Sequence, residues 1–244
     1  MDGSSSSITQ GRLLIGVDGC RRGWVAAVAS VERPDQLLCI EVHDHIDPLL
    51  EAIGAGTCAV MAIDMPMGLT ASGPRRCDIE TRARLGSRAS SVFATPPRPL
   101  LRCSDHAEAV ALGRSIDGRG ISIQAFNLIP KIAQIDDALG PNPDPALLER
   151  LVEAHPESAF AELAGRPLAT RKRTAEGRRD RLRLLDSVFT DGTDLLRTRH
   201  RGAAVDDVLD AAILVRTARR ILDGTAAILG GELDERGIPM RVAI

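Results

Sequence analysis

Acidic residues stand at three places where folding could gather them. Asp18 closes the apolar run LLIGV and precedes Gly19, while Asp64 closes the apolar run CAVMAI and precedes Met65-Pro66. If the two runs are neighbouring parallel strands, roughly 4.8 Å apart, their carboxylates lie side by side at the C-terminal ends. That edge is where open α/β sheets place ligands. Either Asp alone also suits a turn residue accepting local N–H groups; the pair suits it less, because two adjacent carboxylates need a proton or a cation between them. The third place is Asp206, Asp207 and Asp210, at the start of a long helical pattern. An acidic first turn with Asp206 as N-cap explains one or two of these, but explains Asp210, which shares a helix face with Asp207, less well. Carboxylates from two strand ends and a late helix form a donor set for Mg²⁺ or Mn²⁺, hard cations that take oxygen ligands and keep water. One or two such ions can assist hydrolysis of a phosphodiester.

A further cluster, Glu153, His155 and Glu157, surrounds Pro156 at an expected strand-to-helix turn. Taken alone, it is the composition of a solvated turn. Between Arg166 and Arg201 the chain carries eleven Lys/Arg against five acids, a local charge of +6 that leaves −8 elsewhere. A basic strip beside an acidic centre suits a polyanionic substrate, and a solvated amphipathic helix is the commoner origin of such a run. The chain lacks the P-loop, dinucleotide-binding, serine-hydrolase and zincin signatures. Cys20, in the turn after Asp18, reads as a small buried residue rather than a nucleophile paired with His155.

The elements that must hold these groups follow from periodicity. LLIGV, WVAAVASV and QLLCIEV read as three successive strands of an antiparallel meander. Asp47-Pro48 opens a short helix, and CAVMAI then reads as a strand buried on both faces and parallel to its neighbour. Residues 70–145 are Pro-rich with helical pieces and read as a helical insertion, with Ser104 and Ser122 as N-caps and Pro130 marking a kink or a helix start. A helical turn, a strand ending near His155 and a helix opened at Pro156 come next. Two helices follow, the second with Val205, Val208, Leu209, Ala212 and Ile213 as a core-facing stripe, then a C-terminal hairpin. The fold expected is α/β, one domain over residues 12–244 behind a disordered tail at 1–11.

Composition narrows the function classes. Hydrophobic residues make up 44% of the 244 and charged residues 26%, the balance of a globular chain, so a fibrous or disordered protein is excluded. Aromatic content of 2%, with no Tyr, disfavours a nucleic-acid reader that stacks bases on aromatic platforms. A net charge of −2 lacks the basic excess of a domain that binds duplex backbones over its whole surface. Five cysteines without a C-x-x-C pair indicate neither a disulfide framework nor a zinc knuckle, and a cytoplasmic setting is expected. No apolar run has the length of a membrane span.

The stretches GVDGCRRGWVAA, AIDMPMGL, RRCDIETRARLGSRASSVFATPPR, GISIQAFNLIPKIAQID, EAHPESAF, RKRTAEGRRDRLRLL and DDVLDA resemble the uncharacterised domain family numbered 429, described as predicted nucleases of the ribonuclease H fold. The resemblance runs from about residue 13 to 223. It implies a mixed five-stranded sheet with the first three strands antiparallel, and metal-binding acids at Asp18, Asp64 and the Asp207/Asp210 pair. It also implies that Glu153, His155 and Glu157 complete the site, with His155 as a proton shuttle. Arg75, Asp78, Arg82, Gln124 and Lys131 match family positions in the insertion, where they would cap the site, contact substrate phosphate or orient other residues; Lys172 and Arg178, in the basic segment, are expected substrate contacts too. Two departures stand out: Glu51 has no assignable role as the usual carboxylate of the first helix, and Arg22 replaces a small residue. The expected function is metal-dependent phosphodiester hydrolysis in nucleic acid, with one or two Mg²⁺ or Mn²⁺ ions. An actin-like ATP phosphotransferase and a non-catalytic binding module are the alternatives. Assembly is open, a homodimer included.

Overall fold

The computed structural model describes residues 12–244; the tail expected at 1–11 lies outside the described residues. Three strands, β1 (Leu13–Gly19), β2 (Trp24–Ser30) and β3 (Leu37–His43), form the antiparallel meander, and α1 (Asp47–Gly54) crosses to β4 (Cys58–Ile63). The sheet is completed by β5 (Leu151–Glu153), in the order β3-β2-β1-β4-β5, with β4 parallel to both β1 and β5. This mixed sheet flanked by helices is the ribonuclease H-like arrangement expected from the sequence.

Between β4 and β5 lies the helical insertion: α2 (Arg76–Leu85), α3 (His106–Asp117), α4 (Ile123–Leu139) and α5 (Pro145–Arg150), with short 3₁₀ segments at Gly86–Ser91 and Arg98–Arg102. Ser122 caps α4 as expected, accepting the Ala125 N–H. At α3 the N-cap is Asp105 rather than Ser104, because the Asp105 carboxylate reaches the Glu108 N–H, while Ser104 gives its N–H and hydroxyl to the Glu108 side chain. Helix α4 runs through Pro130. After β5 come α6 (Pro156–Leu163), α7 (Ala175–Asp186) and α8 (Val205–Leu222), then the hairpin β6 (Ile228–Leu233) and β7 (Pro239–Ala243).

Strand alternation splits the interior into two cores. Leu14, Val60 and Ala62 face α6, α7 and α8, whereas Ile15, Val17 and Ile63 face α1, α4 and α5. The expected stripe on α8 is too narrow, since Asp210, Ala211, Leu214, Val215, Thr217 and Ala218 are buried as well. Val205, placed in that stripe, is instead exposed at the helix start. Helix α8 is thus buried on nearly every side, lying close against the middle of the sheet.

Candidate functional site

The middle of the sheet brings the first two acids together. Val17 pairs with Ile63, and the Asp64 N–H donates to the Val17 carbonyl at 2.9 Å, so Asp18 and Asp64 leave adjacent strands at the same level. Counting back by two, Asp18 shares the face of Leu14 and Gly16, and Asp64 that of Val60 and Ala62; both carboxylates therefore lie on the α8 side. Gly16 allows the third acid to reach them. A Cβ there would stand 2.1 Å from the Ala211 carbonyl oxygen and 2.5 Å from the Val215 nitrogen. Only a residue without a side chain lets α8 approach so closely and bring Asp210, one residue before Ala211, to the strand ends.

A single cation serves all three acids. The Lys172 ammonium contacts Asp210 Oδ2 at 2.5 Å and also attracts Asp18 and Asp64. Burial would lower this lysine, but Asp210, Asp18 and Asp64 together hold it well above its ordinary range. The acids move the other way. Burial, followed by repulsion from Asp64 and Asp210, raises the Asp18 carboxyl well above the usual range. Asp64 is pushed up to about 7, chiefly by burial, with Lys172 opposing and Asp210 and Glu153 adding to the rise. Asp210 is raised by burial against the pull of Lys172. Burial is the main reason protonation is favoured; three carboxylates around one ammonium also leave two negative charges in excess when all are ionised, which adds to the effect.

The remaining acids of the late helix have other partners. Asp207 turns its Oδ2 to the Ala204 N–H at 2.9 Å and closes the first turn of α8, although its charge still adds to the rise of Asp18. Asp206 is not the N-cap: that position is Ala204, and Asp206 is buried opposite Arg178 and Arg173 at 3.7 and 3.8 Å.

A family model described as a protein of unknown function (DUF429) matches residues 16–235. The chain belongs to this family. No curated protein and no solved structure matches it. The DUF429 match spans Asp18, Asp64, Lys172 and Asp210 together with the residues that frame them, so the whole acid centre falls inside the family's own boundaries.

In this DUF429 chain the segment around Pro156 ties the insertion and α7 to the sheet. Glu153 accepts from both terminal nitrogens of Arg75, at 2.6 and 2.7 Å, and from the Met67 N–H at 2.8 Å. Arg75 also grips Asp78 and donates to the Met67 carbonyl. This network fixes the loop that follows Asp64. Arg75 is only 2% exposed and its donors are engaged, so it orients other residues rather than meeting a substrate, which corrects the expected phosphate contact. Glu157 is held by the fully buried Arg181 at 2.6 Å and by Arg88 at 2.9 Å, joining α6, α7 and the insertion. His155 is the N-cap of α6, its Nδ1 accepting from Ser158. Burial lowers its pKa to about 4, so near neutrality it is an uncharged capping group; the expected proton shuttle has its titration displaced and both ring nitrogens engaged, Nδ1 by Ser158 and Nε2 by the Ser91 carbonyl at 3.4 Å. Glu153, His155 and Glu157 thus frame the acid centre.

The expected cations divide in the same way. Lys172 lies inside the acid centre, and Arg178 is next to it through Asp206. Lys131 comes from α4 on the opposite face: its methylenes run within 2.9 Å of where a Gly19 Cβ would be, and its ammonium sits 5.9 Å from the Trp24 ring centre. Gln124 and Arg82 are exposed in the insertion, Arg82 donating to the Val92 carbonyl at 2.7 Å. Two features were missed in the sequence: Gly16, visible as a small residue in an apolar strand that Asp18 ends, and the Glu157–Arg181 pair, for which spacing offers no signal.

No group of three or more His, Cys, Asp or Glu side chains among the described residues is arranged as it stands to hold a metal ion. The donor set nevertheless fits a hard cation. Mg²⁺ is usually held by one or two carboxylates, with water and substrate phosphate completing the shell. Asp18, Asp64 and Asp210 offer oxygen donors only, and their two uncompensated charges equal those of a divalent ion.

Among the described residues, no helix is long and apolar enough to cross a membrane.

Proposed function

We propose that this chain hydrolyses phosphodiester bonds in nucleic acid at the Asp18–Asp64–Asp210 centre, with Mg²⁺ or Mn²⁺ as cofactor. The observation that carries the reading is the burial of three carboxylates around one ammonium at the C-terminal edge of β1 and β4. Buried acids whose pKa values are raised by burial and that share a specific charge partner are candidates for a functional site. Asp18, Asp64 and Asp210 would hold the ion, which supplies Lewis-acid polarisation of a phosphoryl oxygen. The protein's own part is placement. Rigid strand ends fix Asp18 and Asp64, the Arg75–Glu153 pair fixes the loop after Asp64, and Gly16 sets the depth of Asp210. Lys172, 39% exposed at its side chain and borne on the segment before α7, can exchange its carboxylate partner for a phosphate oxygen when substrate arrives. Cytoplasmic residence belongs to the same proposal.

The actin-like alternative calls for a second lobe of the same kind, and the described residues contain one five-stranded sheet. A non-catalytic module would leave the acids as caps and ion pairs, a description that fits Asp206 and Asp207 but leaves the excess charge of the other three without a role.

The test is Mn²⁺ titration calorimetry on the wild type, Asp64→Asn and Asp210→Asn, followed by incubation with single-stranded, duplex and branched nucleic acids with and without chelator. Binding and chelator-sensitive cleavage confined to the wild type are expected. Equal Mn²⁺ affinity in all three proteins, or binding in none, overturns the proposal.

A further inference from the structure

The insertion carries a cavity that the acid centre does not use. It has a volume of about 570 Å³ and lies among α2, α3, the start of α4 and the Pro-rich stretch before the second 3₁₀ segment. That volume is within the range of small-molecule sites, which pair apolar walls with a few convergent polar groups. Pro74, Pro96, Pro97 and Leu100 give a wall of little flexibility, since proline rings have no side-chain rotamers to freeze. The polar groups are of two kinds. Arg82 spends one terminal nitrogen on the Val92 carbonyl and keeps its other donors, and Arg119 is exposed, with no hydrogen bond or ion pair of its guanidinium among the described residues. Asp117, which lines the cavity, accepts the Gly73 N–H through Oδ1 and has no hydrogen bond to Oδ2 among the described residues.

The position of the cavity is as informative as its lining. Asp78 and Thr95 belong both to its wall and to that of a narrow slit whose other members include Asp64 and His155. Val92, which receives the Arg82 guanidinium, lines the slit as well, so Arg82 stands where cavity and slit meet. A ligand with an anionic group at Arg82 and a flat apolar body against the prolines would point its charged end toward the acid centre.

We infer that this cavity is a nucleotide subsite: it takes a nucleoside monophosphate, or one nucleotide unit of a longer chain, with the phosphate on Arg82 and Arg119 and the base between the proline wall and Asp117. The catalytic meaning of the subsite rests on the phosphodiesterase reading above; the binding itself does not. Guanidinium donors suit phosphate because their planar fork forms paired charge-assisted hydrogen bonds. The carboxylate of Asp117 suits the amino or imino edge of a base, a group that free phosphate and simple carboxylic acids lack.

The experiment is calorimetry on the full chain in chelator-containing buffer, titrating a 5′-nucleoside monophosphate, the corresponding nucleoside and inorganic phosphate into the wild type, Arg82→Gln, Arg119→Gln and Asp210→Asn. The monophosphate is expected to bind more tightly than either fragment. Each arginine variant should weaken it about tenfold or more, the effect of one lost charge-assisted hydrogen bond, while Asp210→Asn retains it. The exposed Arg119 keeps the test open even if Arg82→Gln disturbs α2. Absence of monophosphate binding, binding indifferent to both arginines, or phosphate alone binding as tightly as the monophosphate overturns the inference. Monophosphate binding without metal-dependent cleavage would refute the hydrolase reading and leave the subsite standing; cleavage without monophosphate binding would do the reverse.

Discussion

Replacing Gly16 by alanine changes one hydrogen to a methyl group and tests how the acid centre is assembled. The new Cβ would lie 2.1 Å from the Ala211 carbonyl oxygen and 2.5 Å from the Val215 nitrogen, both backbone atoms of α8 that no rotamer change can move. To restore ordinary contact, α8 must retreat from β1 by about 1 Å or the strand must bend away. Overpacking of this kind costs about 1–3 kcal/mol, from which the smaller chain entropy of unfolded alanine recovers about 0.4–1 kcal/mol. For a chain of this size the net loss, up to about 2.6 kcal/mol, corresponds to a fall in melting temperature of up to roughly 10 °C. The functional loss should be larger in proportion, because Asp210 retreats with α8 while Asp18 and Asp64 stay with the sheet. A misplacement of about 1 Å can cost on the order of 100-fold in rate. Differential scanning calorimetry gives the first quantity, and Mn²⁺ titration with a cleavage assay gives the second. A Gly16→Ala protein that melts, binds Mn²⁺ and cleaves like the wild type would show that the close approach of α8 does not set the geometry of the acids.

Four further outcomes are expected. Because burial raises Asp64 to about 7 in the folded state, protonation favours folding: its contribution is whole below the unfolded value near 4 and lost as pH rises through about 7. Asp64→Asn, neutral at every pH, should therefore be more stable than the wild type at pH 8 by a few kcal/mol in chelator, with a much smaller gain at pH 5, as read by denaturant melts; equal gains at both pH values would contradict the raised carboxyl. His155 has the opposite sign, since burial lowers it to about 4: no penalty exists above about pH 6.5, and stability falls as pH drops toward 4, so His155→Gln should flatten the acid limb of the stability profile without altering any activity profile above pH 6.5. Arg75→Met strands the buried Glu153 and Asp78, and a loss of about 3–5 kcal/mol is expected from equilibrium unfolding. Lys172→Met removes the ammonium shared by the three acids; with its partial exposure the stability cost should be about 1–2 kcal/mol at pH 8, and Mn²⁺ affinity measured by calorimetry should rise, an unchanged or weaker affinity arguing that lysine and metal do not compete for the same oxygens.

The elements of this protein are legible in the order of its residues because local rules decide them. Alternation and apolar runs bound the strands, Asp47-Pro48 falls in the first turn of α1 although the N-cap is Ile46 rather than the expected Asp47, Ser122 caps α4, and Pro156 begins α6 where expected. Asp18 and Asp64 were recognisable as a pair for the same reason: each ends an apolar strand, and a crossover helix makes those strands parallel neighbours. What only the tertiary structure decided is which charges meet. Asp206, Asp207 and Asp210 are equivalent as letters, yet helix rotation against the sheet sends Asp210 to the strand ends, Asp207 to the Ala204 N–H and Asp206 toward two arginines. Glu153, His155 and Glu157 likewise read as one cluster but are divided among Arg75, a helix cap and Arg181. Their partners lie 78 and 24 residues away in the chain, and in Arg75 and Arg181 they occur in segments where arginine is plentiful. Periodicity reports the burial of a face, whereas the pairing of charges depends on long-range packing. The clearest instance is Gly16, whose missing side chain means little along β1 and admits the backbone of a helix almost two hundred residues later.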